Sequence, residues 1–98
     1  VRVVKGVATG QGFALPQDKK VIVGKNPQKS NLVIADPHVS NIHCSIRYIA
    51  STNRYIIKDH SSNGTFVNGV RLQKDTAMEY PAGTLLCLAD GSNEILLG

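Results

Sequence analysis

Three segments of this chain concentrate side chains suited to holding an anion. The first is Gly24-Lys25-Asn26-Pro27-Gln28-Lys29-Ser30-Asn31, which carries two lysines and no carboxylate. The second is Asp36-Pro37-His38-Val39-Ser40-Asn41, and the third is Asp59-His60-Ser61-Ser62-Asn63-Gly64. Lys25 offers a compact positive charge and Ser40 a hydroxyl. Ser40, Asn41, Ser62 and Asn63 stand where irregular backbone presents N–H groups, and successive N–H groups of this kind form anion-binding concavities. Asn41 and Asn63 each carry a donor and an acceptor, so each can pair with a peptide backbone. One lysine, a hydroxyl and several N–H groups describe a phosphate site. Spacing alone also admits a plainer reading, in which Ser and Asn only close turns by bonding their own backbone.

Bond-breaking chemistry finds little support. Ser40 and His43 lie three apart at a strand start, where side chains alternate between faces and do not meet. No Gly-x-Ser-x-Gly elbow is present, and no third member completes a triad. The chain is therefore not expected to be an enzyme or to carry a cofactor. Cys44 and Cys87 are the only cysteines, too few for a disulfide framework or a four-ligand zinc site. Each sits in an apolar segment, so the expectation is two buried thiols in a reduced, cytoplasmic protein. The net charge is +4, yet the eleven basic residues are scattered from Arg2 to Lys74 and form no run. Five aromatic residues are few for a base-stacking platform. No nucleic acid and no membrane insertion are expected, since no apolar run approaches the roughly 18 residues of a spanning helix.

The elements that must position these loops are strands. No segment pairs apolar residues at helical spacing with caps, whereas short β-rich runs recur between Gly, Pro, Asn, Asp and Ser. Strands are expected at Val1–Lys5, Phe13–Leu15, Val21–Val23, Leu32–Ile34, Ile42–Ala50, Arg54–Asp59, Thr65–Val67, Val70–Leu72, Thr84–Ala89 and Glu94–Leu97. In the longest, alternation puts Ile42, Cys44, Ile46 and Tyr48 on one face and His43, Ser45, Arg47 and Ile49 on the other. Asn68-Gly69 is a strong two-residue hairpin turn. With 98 residues there is no room for helical crossovers, so the fold class is all-β, a two-sheet antiparallel β-sandwich in one domain, 1–98. The first residue is Val, not Met, which suggests a domain excised from a larger protein.

The set Gly24-Lys25, Ser40-Asn41-Ile42-His43 and Asp59-His60-Ser61-Ser62-Asn63-Gly64-Thr65-Phe66-Val67-Asn68-Gly69 resembles a forkhead-associated (FHA) domain. That family reads G-R, S-x-x-H and S-x-N-G-T-x-x-N-G in this order. The resemblance implies a sandwich of about eleven short strands that binds phosphothreonine peptides through loops at one end. It implies that Lys25 and Ser40 contact the phosphate, that Asn41 faces phosphate or peptide, that Ser62 lies near the phosphothreonine, and that Asn63 pairs with the peptide backbone just beyond it. His38 and Lys29 resemble positions that tune the residue about three places further on. Structural roles fall to Gly24, His43, Gly64, Thr65, Asn68 and Gly69. His43 is expected to be a buried post, and His38 and His60 to be exposed.

The chain departs from the family at Lys25, where Arg is usual. Arg grips phosphate with a planar fork, whereas Lys acts as a point charge. Weak phosphothreonine binding is therefore expected. The alternative is a phospho-independent docking module that packs against other domains of a parent protein.

Overall fold

Alternating apolar residues in short segments build two sheets that share one core. The computed structural model describes all 98 residues. The strands are β1 (Arg2–Lys5), β2 (Lys20–Gly24), β3 (Leu32–Val33), β4 (Cys44–Ile49), β5 (Arg54–Asp59), β6 (Thr65–Val67), β7 (Val70–Arg71), β8 (Met78–Pro81), β9 (Leu85–Leu88) and β10 (Asn93–Leu96). One sheet runs β1-β10-β9-β6-β7 and the other β3-β2-β4-β5-β8. Val3, Val67, Leu86, Leu88 and Ile95 of the first sheet pack against Val23, Leu32, Ile46, Tyr55 and Ile57 of the second. This is the expected β-sandwich.

The elements differ from the sequence reading in five places. There are ten strands where the resemblance implies about eleven. Phe13–Leu15 forms no strand: Phe13 N–H donates to the Val1 carbonyl at 2.9 Å, and Pro16 follows without a donor. β8 lies in a segment with no β-branched residue, and it forms because β5 offers a free edge to Met78–Tyr80. Its terminal Pro81 is tolerated because no further strand lies outside it. The pairing is not wholly antiparallel, since β3 runs parallel to β2 with Val23 opposite Leu32. Residues 25–31 suffice as a crossover because β3 is only two residues long. Finally, the long strand begins at Cys44 rather than Ile42. A bend precedes it, leaving Ile42 38% exposed while His43 is fully buried.

The thiols also divide. Cys44 is buried, and burial pushes its pKa up to about 12. Cys87 is only half-buried, and its Sγ lies 3.2 Å from Glu94 Oε2 on the outer face. Both are free.

β4 and β5 carry the loops. Their ladder runs from Ile49 opposite Arg54 to Cys44 opposite Asp59. It continues past the strand ends, where His60 N–H donates to the His43 carbonyl at 2.9 Å and His43 N–H to the Val23 carbonyl at 2.8 Å. The segments before β4 and after β5 are thereby held side by side, next to the end of β2.

Candidate functional site

The three anion-suited segments meet at one end of the sandwich. Gly24 makes the first contact possible. A Cβ there would lie 2.1 Å from the Asn41 carbonyl oxygen, so only glycine lets the two backbones approach this closely. Lys25 N–H then donates to the Ser40 carbonyl at 2.9 Å, and Ser30 Oγ donates to the Asn41 carbonyl at 2.9 Å. The third segment joins through side chains. Ser62 N–H donates to Ser40 Oγ at 3.1 Å, and Asn63 Nδ2 donates to the His38 carbonyl at 2.8 Å.

His43 is the post beneath this junction. Its Nδ1 accepts from Ser40 N–H at 3.1 Å and its Nε2 donates to the Gly64 carbonyl at 2.8 Å. Both bonds are made by the neutral ring carrying its proton on Nε2. Burial lowers its pKa below the usual 6.5, against the opposing pull of the Gly64 carbonyl and the Asp59 charge. The unfolded chain therefore takes up this proton first. The His43 contribution to stability is complete well above pH 6.5 and declines as pH falls through that value. We expect denaturant midpoints measured from pH 7.5 to pH 5.5 to fall more steeply for the wild type than for His43→Gln. A steeper fall in the variant would contradict this assignment.

The third loop hangs on Asp59, which is fully buried. Its Oδ1 accepts from Ser61 Oγ at 2.6 Å, from Thr65 Oγ1 at 2.8 Å and from Ser61 N–H at 3.2 Å. Ser61 Oγ in turn accepts from Gly64 N–H at 2.8 Å. Thr65 thus braces the loop from within. The hairpin beyond it turns at Asn68 and Gly69, with φ of 52° and 76°, the left-handed conformation that this residue pair favours.

The junction encloses an open cleft of about 340 Å³. Lys25, Ser40, Asn41, Ser62, Asn63 and His38 all line it. Lys25 and Asn41 are exposed, and no carboxylate lies within 4 Å of the lysine ammonium. The N–H groups of Asn41 and Asn63 have no acceptor in the chain. Those of Ser40 and Ser62 are already committed, to His43 and to Ser40 Oγ. The free donors thus include the Lys25 ammonium, the Ser40 and Ser62 hydroxyls, the Asn41 side-chain amide and two backbone N–H groups. A tetrahedral dianion is a ligand such donors suit.

Lys29 does not line the cleft, and its N–H closes a turn onto the Asn26 carbonyl at 3.1 Å. His60 is half-buried, not exposed, because its ring spans from Asp75, 2.8 Å from Nδ1, to Ser45, 3.4 Å from Nε2. His38 is exposed, with its Nδ1 3.2 Å from Asp36 Oδ1. His38 and Asn63 also border a second hollow of about 270 Å³ with Asp90. The Asp36 carboxyl is held below the usual range by the His38 backbone N–H and then by the Asn93 amide, and Asp90 by the Ser92 backbone N–H.

Asp59, Ser61 and Arg71 carry no assigned role in the sequence reading. The Asp-x-Ser spacing was a signal for the first two, since Asp commonly accepts from the N–H two residues on. Arg71 comes from β7, outside the three loops, and its Nη2 donates to the Ser62 carbonyl at 3.2 Å. Counting back through the Asn68-Gly69 turn pairs it with Phe66, two residues after Gly64.

The comparisons with known proteins agree with this architecture. The family model for the FHA domain matches residues 21–89. The chain is 30% identical over 95 residues to the meiosis-specific serine/threonine-protein kinase MEK1 of Saccharomyces cerevisiae, covering 93% of this chain and 19% of that protein. It thus spans about a fifth of the kinase's length, and the likeness is to that portion alone. Among solved structures, the FHA domain of CT664 from Chlamydia trachomatis superposes with a TM-score of 0.84 at 30% identity, covering 98% of this chain and 91% of that one. The MEK1 FHA domain in complex with a phosphothreonine peptide of HOP1 superposes with a TM-score of 0.78 at 24% identity, over 90% of this chain and 88% of that one. With the match extending from β2 to the turn after β9 and taking in all three cleft loops, this chain belongs to the FHA domain family.

Proposed function

We propose that this domain recognises phosphothreonine in a partner protein, with the phosphoryl group seated in the cleft between Lys25, Ser40 and Asn63. The observation that carries this reading is the donor set: a free ammonium, a hydroxyl and two N–H groups without acceptors converge on one open cleft. The peptide complex of the MEK1 FHA domain supports it. In this reading Lys25 and Ser40 hold the phosphate, Asn41 and Ser62 complete its surroundings, and the Asn63 side chain, whose Nδ2 is fixed by the His38 carbonyl, presents Oδ1 to the peptide backbone. His38 borders the path of the residues that follow. Catalysis has no part in it; the domain docks its parent protein onto a partner once a kinase has acted, as an intracellular signalling step.

A calorimetric titration against phosphothreonine, phosphoserine and unphosphorylated peptide libraries tests this. Saturable binding to the phosphothreonine pool alone is expected, with Ser40→Ala and Asn63→Ala each weakening it by roughly tenfold or more, the worth of a hydrogen bond to a charged group. Equal binding of the unphosphorylated pool, or unchanged binding in both variants, would identify a docking surface outside the cleft.

A further inference from the structure

Arg71 is an exposed arginine with no carboxylate within 4 Å, yet its guanidinium has a partner in the backbone. Its Nη2 donates to the Ser62 carbonyl at 3.2 Å. The guanidinium lies so close to Gly64 that a Cβ there would lie 2.9 Å from Arg71 Nε and 3.0 Å from the Phe66 ring. Gly64 is also held through its carbonyl, which accepts from His43 Nε2 at 2.8 Å.

The consequence concerns the peptide unit that follows. The Ser62 C=O and the Asn63 N–H belong to one planar trans peptide and point in opposite directions. A carbonyl turned toward Arg71 therefore turns the Asn63 N–H away from it. Asn63 lines the cleft, Arg71 does not, and this N–H has no acceptor in the chain. A cation on the carbonyl oxygen also polarises the peptide unit and strengthens its N–H as a donor.

We propose that Arg71 is a positioning residue of the anion site: by taking the Ser62 carbonyl it holds the Ser62–Asn63 peptide plane with the Asn63 N–H directed into the cleft as a donor to the phosphoryl group. The inference rests on the phosphothreonine reading for the identity of the anion, and on Arg71 and the peptide plane alone for the orientation. The guanidinium acts from behind the loop, through a peptide unit, and complements Lys25, which faces the ligand directly.

The experiment is done on isotopically labelled domain with Arg71→Met and Arg71→Lys. Met keeps an unbranched side chain of similar length and removes the donor; Lys restores one donor to the carbonyl. Without ligand, the residual dipolar coupling of the Asn63 N–H should match the fixed peptide plane in the wild type and shrink by averaging in Arg71→Met. Arg71→Lys should recover most of it. With a phosphothreonine peptide, the Asn63 amide proton should move downfield in the wild type, and Arg71→Met should bind about tenfold more weakly at an unchanged melting temperature. A coupling in Arg71→Met equal to the wild type, or an affinity within twofold, would overturn the proposal. Loss of charge alone would weaken binding without moving the ligand-free coupling, and that pattern also overturns it. If the wild type bound no phosphopeptide, the phosphothreonine reading would fall while the ligand-free coupling still decided the orientation.

Discussion

Asp59→Ala is expected to lower the melting temperature by roughly 15 °C, the largest single-residue effect anticipated outside the apolar core. The carboxylate is fully buried and one of its oxygens collects three donors. Removing it leaves the Ser61 and Thr65 hydroxyls and the Ser61 N–H buried without an acceptor, at about 1–3 kcal/mol for each group that finds no replacement. The full sum is not expected. Hydroxyls can rotate to other acceptors, and Asp59 Oδ2 has no partner, so its loss relieves a desolvated oxygen. A net cost of about 3 kcal/mol follows, which for a chain of this size corresponds to the stated shift. Asp59→Asn keeps the acceptor Oδ1 and places an amide where Oδ2 stands, so its loss should be intermediate. Thermal unfolding by circular dichroism checks both, and a shift under 4 °C for the alanine variant would show that the loop does not depend on this carboxylate. The same variant should weaken phosphopeptide binding, because Ser62 and Asn63 stand on the Asp59–Ser61–Gly64 chain of hydrogen bonds.

Asp59 also shows what a sequence discloses and what it withholds. Its bond to Ser61 is local, set by a two-residue spacing, and legible in Asp59-His60-Ser61. Its burial is not local. It follows from the register that sets Asp59 opposite Cys44, which depends on where the β4–β5 hairpin turns. The same division runs through the site. That the three polar segments share one end was readable, because each adjoins a strand end and strands alternate direction. That Lys25 reaches the cleft follows from the resemblance and not from spacing, since Lys29 lies in the same loop and carries the same charge. Arg71 was hidden, as it acts across a hairpin and through a peptide plane rather than from a motif. β8 escaped notice because edge pairing with β5, not side-chain propensity, makes Met78–Pro81 a strand. The parallel β2–β3 pair escaped because the rule that parallel strands need long crossovers does not bind a two-residue strand.

Lys25 is where the chain departs from the usual arginine of its family, and two substitutions there should move affinity in opposite directions. Its backbone N–H already bonds the Ser40 carbonyl, and its side chain is exposed on the cleft, so a change beyond Cβ should leave stability within about 0.5 kcal/mol. Lys25→Ala removes one charge-assisted hydrogen bond, worth about 1.5–3 kcal/mol, and phosphothreonine binding should weaken by ten- to a hundredfold. Lys25→Arg supplies a planar fork able to grip two phosphate oxygens together, and binding should tighten by about tenfold. The ligand adds its own pH dependence. Its second ionisation lies near pH 6, so wild-type affinity should rise from pH 5 to pH 7 as the dianion forms, and less so in Lys25→Ala, where the charge that rewards the dianion is gone. Titration at fixed ionic strength across that range measures all three effects. An arginine variant no tighter than the wild type would mean that the ammonium meets the phosphate with no geometric loss. An alanine variant of unchanged affinity would remove Lys25 from the site and leave the phosphate to the Ser40 hydroxyl and the N–H groups of Asn41 and Asn63.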